Sequence, residues 1–319
     1  MDDKHLIKAY GAFAAVSFFW GTTYLAIRIG VETVPPALFA GLRFLMAGSV
    51  LMGFLKAKGY VFPRGRDLFD LSVTGVALLT LANGSVVWAE QYVPSSLAAL
   101  IVATLPFWMV GFESVLPRGE RVTLRQATGI IIGFFGLVLL LWPEIKNSLG
   151  SFYLKGILAL FFAPISWSAG SIYAKRHKLN VHPLMSAASQ MLVAGSLLTL
   201  FGFFAGEFNR LTFDPRGMAA MVYLAIFGSI VGYGSYIYAL DKLPSSFVST
   251  YAYLNPVVAV LLGWLILDER FDWLLITATI IILTGVVLVT TNRPGRLKSE
   301  KKIQTHGAGA TPPPCLEEG

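Results

Sequence analysis

The sequence predicts an all-α integral membrane protein whose ten transmembrane helices are arranged as two inverted five-helix repeats. Three observations carry that expectation. Apolar residues make up 55% of the 319 residues and charged ones 13%, against roughly 25% charged in an ordinary soluble domain, and the mean hydropathy is +0.66. The apolar residues fall into blocks of about 20, each long enough to cross about 30 Å of hydrocarbon as a helix. The second half of the chain also repeats the first.

In chain order the blocks lie near 8–29, 36–55, 69–89, 95–116, 125–142, 153–175, 183–205, 217–240, 245–267 and 272–291. The first follows Lys4 and Lys8, as a secretory signal would. Its length and the lack of a small-x-small cleavage site favour a retained helix. The fourth, sixth and ninth contain Pro106, Pro164 and Pro256. Each proline denies its helix one backbone bond, which releases the carbonyls of Val102, Leu160 and Ala252 and marks these helices as kinked. Residues 292–319 read as a disordered cytoplasmic tail, basic from Arg293 to Lys302 and rich in Gly and Pro beyond Thr305. The single cysteine, Cys315, lies in that tail and can form no internal disulfide.

A net charge of +7 first suggests a nucleic-acid partner, but the positions of the charges point to topology instead. Lys4, Lys8, Lys56, Lys58, Arg64, Arg66, Arg118, Arg121, Arg125, Lys175, Arg176, Lys178, Lys242, Arg293, Arg296, Lys298, Lys301 and Lys302 fall in segments on one face. Only Lys146, Lys155, Arg210, Arg216 and Arg270 fall on the other, so both termini are expected in the cytoplasm.

The repeat is read from residue types that chance does not match between apolar helices. Trp20 to Phe54 aligns without a gap onto Trp167 to Phe201 at an offset of 147, pairing Trp20 with Trp167, Pro36 with Pro183 and Ala47-Gly48-Ser49 with Ala194-Gly195-Ser196. From the third block the offset is 150, pairing Gly84-Ser85 with Gly234-Ser235, Pro94-Ser95-Ser96 with Pro244-Ser245-Ser246 and Pro106 with Pro256. After one deletion, Glu120-Arg121 meets Glu269-Arg270 and Gly136 meets Gly285. The repeats are bounded at 8–142 and 153–291. An odd number of helices in each inserts the second upside down, a device of secondary transporters.

The residues also resemble a family. Phe19-Trp20-Gly21-Thr22-Thr23-Tyr24, Pro35-Pro36 with Arg43, Pro94-Ser95-Ser96-Leu97-Ala98-Ala99, Gly119-Glu120-Arg121, and the run from Tyr251 through Asn255-Pro256 to Gly263 are similar to the EamA family of the drug/metabolite transporter superfamily. The resemblance covers about Ala12 to Thr290 and looks most like the YedA-like bacterial exporters. It implies ten helices, a bacterial inner-membrane location and efflux of small metabolites, amino acids or drugs.

Candidate binding residues are sought near the bilayer midplane, where inverted-repeat transporters bind. At about 1.5 Å per residue, Pro106 and Pro256 both lie near mid-membrane. Trp20 and Trp167 stand near the middle of their helices, either packing between helices or offering an aromatic face to a solute. Tyr233, Tyr236, Tyr251, Tyr253 and Asn255 replace Asn83, Val86, Ile101, Ala103 and Leu105 of the first half, and form one expected wall. Asn83, Thr104 and Trp108 are the first half's candidates. Their hydroxyls and amides need partners in hydrocarbon, supplied by a solute, by water or by other helices.

Arg43 is the one cation deep in a helix, and its repeat partner is the neutral Gln190. It either holds a solute carboxylate or phosphate, or satisfies freed carbonyls and Glu90. Arg28 and Glu32 are expected at the interface, and Glu113 as a snorkelling residue. His5, His177, His182 and His306 lie outside helix centres, and no acidic residue sits mid-helix, so no deep proton relay is expected; proton antiport through Glu90 or Glu113 stays open beside facilitated diffusion or exchange.

No G-x-S-x-G or H-E-x-x-H is present, and no two aspartates are paired within one apolar block, which argues against an intramembrane enzyme. The expected function is export of small metabolites by alternating access, with uptake or carriage of phosphorylated sugars as the rival. The expected partners are a small solute and the lipid bilayer, with no nucleic acid, metal or cofactor. A monomer is expected, with a weak dimer as the alternative.

Overall fold

The computed structural model describes residues 3–117, 122–146, 151–177, 181–243, 248, 251–269 and 271–291. Helix accounts for nearly all of them. The elements are α1 (Asp3–Val31), α2 (Pro36–Ala57), α3 (Gly65–Ala89), α4 (Ser95–Val115), α5 (Leu124–Lys146), α6 (Ser151–Arg176), α7 (Pro183–Phe204), α8 (Pro215–Tyr223, continuing through Leu224–Tyr233 to Gly234–Lys242), α9 (Tyr251–Leu267) and α10 (Trp273–Thr290). Among the described residues nine helices are long and apolar enough to cross a membrane, and the apolar stretch Leu254–Leu267 of α9 is shorter. The Pro244-Ser245-Ser246 triplet, the Glu120-Arg121 turn and the tail 292–319 lie outside the described residues.

Local chemistry sets the helix ends. Pro36, Pro183 and Pro215 each open a helix, where a missing N–H costs nothing. Asp214 and Asp272 accept from the backbone N–H of Gly217 at 2.9 Å and Leu275 at 2.8 Å, which caps α8 and α10. Past the C-terminal ends of α2 and α7 stand Gly59 and Gly206, with φ of +84° and +71°. They occupy matching positions at the 147 offset, where an L side chain would be strained.

Two helix starts borrow their caps from far along the chain. The N-termini of α2 and α4 have no cap of their own. Glu207, in the short 3-10 turn after α7, accepts from the N–H of Ala37 at 3.3 Å and of Leu38 at 2.9 Å. Glu269, in the turn after α9, accepts from the N–H and hydroxyl of Ser95 at 2.7 Å each and from the Ser96 N–H at 3.0 Å. A carboxylate at a helix N-terminus meets both the orphan donors and the positive end of the helix dipole.

α2 packs along α7, and α5 along α10. α1 lies against α8 and α9, and α6 against α3 and α4. This pattern maps onto itself when α1–α5 are exchanged with α6–α10. Repeat-matched glycines sit at both crossings. A Cβ on Gly195 would meet the Leu45 N at 2.7 Å and the Gly41 carbonyl at 2.9 Å, and one on Gly48 would meet the Leu192 N at 3.1 Å. At the other crossing, a Cβ on Gly285 would fall 2.5 Å from the Gly129 carbonyl, and one on Gly136 2.8 Å from Ile282. Helices in lipid associate by such close backbone contact, since lipid gives no hydrophobic drive between them. The outer surface carries Phe54, Ile131, Phe135, Phe201, Phe204 and Ile280, all more than half exposed, as a surface solvated by hydrocarbon requires.

Gly195→Val and Gly285→Val should each destabilise the bundle by about 1–3 kcal/mol, the usual cost of overpacking. Gly53→Ala, with open space around it, should not. Thermal unfolding in detergent checks this; equal midpoints for all three variants would refute the close-contact account.

Candidate functional site

Seven helices enclose a cavity of about 100 Å³ at the centre of the bundle. Its aromatic lining comes from Trp20, Tyr24, Phe44, Trp167, Tyr233 and Tyr251, and its polar lining from Thr23, Arg43, Asn83, Ser229 and Asn255. Ile27, Leu79, Ala82, Val86, Val102, Leu105, Ala163, Pro164 and Gly228 complete it.

Two stretches of widened helix shape the walls. Val76–Asn83 of α3 and Leu224–Tyr233 of α8 are wound as π-helix, and each ends just before a repeat-matched glycine, Gly84 or Gly234. A π-turn loosens the normal ladder and leaves carbonyls to be met from elsewhere. The Trp20 indole donates to the Gly228 carbonyl at 3.1 Å, and the Ser166 hydroxyl to the Ala77 carbonyl at 2.8 Å. Gly232 makes room for the indole, because a Cβ there would stand 2.6 Å from Trp20 Nε1. Trp20 is the hub of an aromatic cluster, with ring centroids 5.0 Å from Tyr236, 5.1 Å from Tyr251 and 5.7 Å from Trp167.

The deep cation has a specific partner. Arg43 is 4% exposed, donates from Nη2 to Asn83 Oδ1 at 2.8 Å and lies 4.3 Å from the centre of the Phe44 ring. Its Nε donor is buried without a partner. The same two positions in the second half hold Gln190 and Tyr233, and there the Tyr233 hydroxyl donates to Gln190 Oε1. One polar crosslink thus occurs twice, charged in the first half and neutral in the second. The Glu90 pairing considered for Arg43 does not form, because the guanidinium turns to Asn83. Arg28, expected at the interface, is turned inward and donates to the Glu90 carbonyl. Glu113 lies 3.5 Å from Lys175 Nζ.

Of the candidate residues, Trp20, Arg43, Asn83, Trp167, Tyr233, Tyr251 and Asn255 meet at this cavity. With its amide oriented to donate, Asn255 reaches the Ser17 carbonyl at 3.1 Å and the Tyr251 carbonyl at 3.3 Å, so it also joins α9 to α1. Thr104, Trp108 and Tyr236 stand off the cavity. Thr104 is fully buried and donates to the Ile101 carbonyl at 2.6 Å, with Trp108 Nε1 3.3 Å from its hydroxyl and the Trp108 ring against Phe134. Tyr236 packs behind Trp20, and the Tyr253 side chain lies outside the described residues.

The three prolines differ. At Pro106 the helix breaks into Ser95–Val102 and Leu105–Val115, with Phe107 N donating to Thr104 O at 2.8 Å across the break. Pro164 and Pro256 stay within continuous helix, and Pro164 lines the cavity. Sequence reasoning missed Thr23, Tyr24 and Ser229. Tyr24, four residues and about one turn from Trp20, is the one that helical spacing could have found. Among the described residues no group of three His, Cys, Asp or Glu side chains gathers to hold a metal.

Comparison with known proteins adds the following. The profile of the EamA-like transporter family matches residues 7–142 and again 154–291. The chain is 39% identical over 295 residues to the uncharacterized inner membrane transporter YedA of Escherichia coli (strain K12), covering 90% of this chain and 92% of that one. It is 30% identical over 279 residues to protein PagO of Salmonella typhimurium, covering 86% and 89%. A crystal structure with 22% sequence identity superposes with a TM-score of 0.63 over 91% of this chain and 98% of the other, which shows a shared fold.

In a Cys315→Ser background, cysteines at Asn83 and Trp167 should react with a water-soluble maleimide, whereas one at the outward Leu81 should not. Equal labelling at all three positions would show that this space is not the aqueous cavity.

Proposed function

The chain belongs to the EamA-like transporter family, and from that premise we propose that it is an inner-membrane secondary transporter exporting small metabolites by alternating access. The solutes are amino acids or amphipathic drug-like compounds that present a carboxylate. One observation carries the reading: the aromatic cavity holds a single buried cation, Arg43, with a donor left over. The guanidinium supplies a charge-assisted bond to the carboxylate, and Trp20, Trp167, Tyr233 and Tyr251 supply faces for the apolar body.

We further propose that ten helices cross the membrane as two inverted repeats with both termini in the cytoplasm. Supporting this are the tandem family match, the exchange pattern of helix contacts, the matched glycines and the bias of Lys and Arg to one face. α2 and α4 take their caps from Glu207 and Glu269, so rocking of one half against the other has defined contacts to break and remake. One chain holds the whole cavity, and the working unit is the monomer. A carrier of phosphorylated sugars would need several cations where the described lining residues include one, and among them there is no histidine or carboxylate for catalysis.

Protein reconstituted in liposomes and tested with a panel of amino acids and amphipathic drugs should move at least one carboxylate-bearing member. No flux for any member would overturn the reading. Arg43→Gln should weaken carboxylate binding on the order of 10- to 100-fold, the loss of one charged hydrogen bond, while the protein stays folded. Gln190 already occupies the equivalent position in the second half. Unchanged carboxylate flux in that variant would remove Arg43 from the site.

A further inference from the structure

Glu90 is the one acidic side chain, among the fully described ones, buried with neither oxygen accepting a hydrogen bond. The other buried carboxylates are provided for. Asp70 accepts from Tyr173 at 2.6 Å and from Arg66, and Glu207 from the start of α2. Glu90 stands just beyond the span Gly65–Ala89 and is 0% exposed. An ionised carboxylate without donors is costly to bury, so this group keeps a proton to higher pH than one in water. Burial first, and repulsion from Glu269 second, push its pKa well above the usual carboxylate range, against the opposing pull of Arg28 and Arg43.

The groups that face it come from every neighbouring element. α1 brings Tyr24 and Arg28, α2 brings Arg43, and the turn after α9 brings Glu269, itself engaged with Ser95 and Ser96 at the start of α4. α6 approaches the same turn of α3 through Gly156 and carries Lys155, whose ammonium lies 5.0 Å from the centre of the Phe152 ring. Among these groups Arg43 is special, because it also lines the cavity. Val86, one helical turn before Glu90, lines it too.

We propose that Glu90 is a proton-binding site of the transport cycle, which holds one proton whenever an anionic solute group occupies Arg43, so that solute and proton cross together. This rests on the reading that Arg43 takes a carboxylate. The buried guanidinium calls for one negative charge, supplied either by ionised Glu90 or by the solute. When the solute supplies it, Glu90 loses the attraction that favoured its ionised form, and one carboxylate oxygen takes a proton from water. No other bond forms or breaks. When the solute leaves into water, Glu90 releases that proton and its charge again balances Arg43 as the empty carrier returns. Solute affinity therefore rises as pH falls through the range in which Glu90 titrates. The direction of net flux follows the sum of the solute and proton gradients, and export proceeds when internal solute is high enough.

The test uses the full chain in liposomes loaded with a pH-reporting dye, with L-phenylalanine as the probe. Labelled phenylalanine and internal pH are followed together. One proton should accompany each phenylalanine in the same direction, and whatever flux Glu90→Gln retains should carry none and lose its pH dependence. Phenylalanine flux without protons in the wild type, or proton movement persisting in Glu90→Gln, would overturn the proposal. Independently of any solute, the infrared carbonyl band of a protonated carboxyl should grow in as pH falls through the range in which Glu90 titrates, at a higher pH than for exposed carboxylates, and this growth should vanish in Glu90→Gln. Its absence would also overturn the proposal. Phenylalanine flux equal to wild type in Arg43→Gln would instead strike the anion-binding reading and leave the infrared result to judge the proton site by itself.

Discussion

Hydrocarbon offers no hydrogen bonds, so the backbone groups inside this bundle must find their partners in the protein, and the architecture follows from how they do. The backbone meets most of its own needs by winding into helix. Where it does not, at the π segments of α3 and α8 and at the uncapped starts of α2 and α4, a side chain from a distant element supplies the bond. Trp20 serves Gly228, Ser166 serves Ala77, Glu207 serves α2 and Glu269 serves α4. Each of these bonds ties two elements far apart in sequence, so satisfying the backbone also sets the packing.

The same constraint explains why the cavity lies where it does. Two π segments at matching depth loosen both walls at one level, and the close glycine contacts at the α2–α7 and α5–α10 crossings hold the rest of the bundle tight. The cavity lies where the helices are least regular. Into it project the one crosslink that differs in charge between the two halves, Arg43 with Asn83 against Tyr233 with Gln190, and the aromatic cluster around Trp20.

The candidate site was about as legible as its helices allow. Residues that stood out as polar or aromatic in an apolar run, such as Arg43, Trp20, Trp167 and Asn255, do meet at the cavity. Thr104, Trp108 and Tyr236 stood out in the same way and pack away from it, since depth in a helix is readable from sequence but the direction a face points is not. Pro106 and Pro256 are matched in sequence and differ in effect, one breaking its helix and the other not. The π segments have no composition that marks them, because their residues are the same apolar types found in regular helix.

The sequence alone determined what is local and one-dimensional. Runs of apolar residues about as long as the bilayer is thick announced the solvent and the helices, Gly and Pro marked the helix ends, and matched spacings of Trp, Pro and Gly announced the duplication. Only the tertiary structure decided which groups pair. Asn83 lies 40 residues from Arg43, and Glu269 lies 174 from Ser95. Arg43 turns to Asn83, and Glu90 stays without a donor. Such choices depend on the mutual rotation of packed helices, a quantity that no single stretch of chain contains.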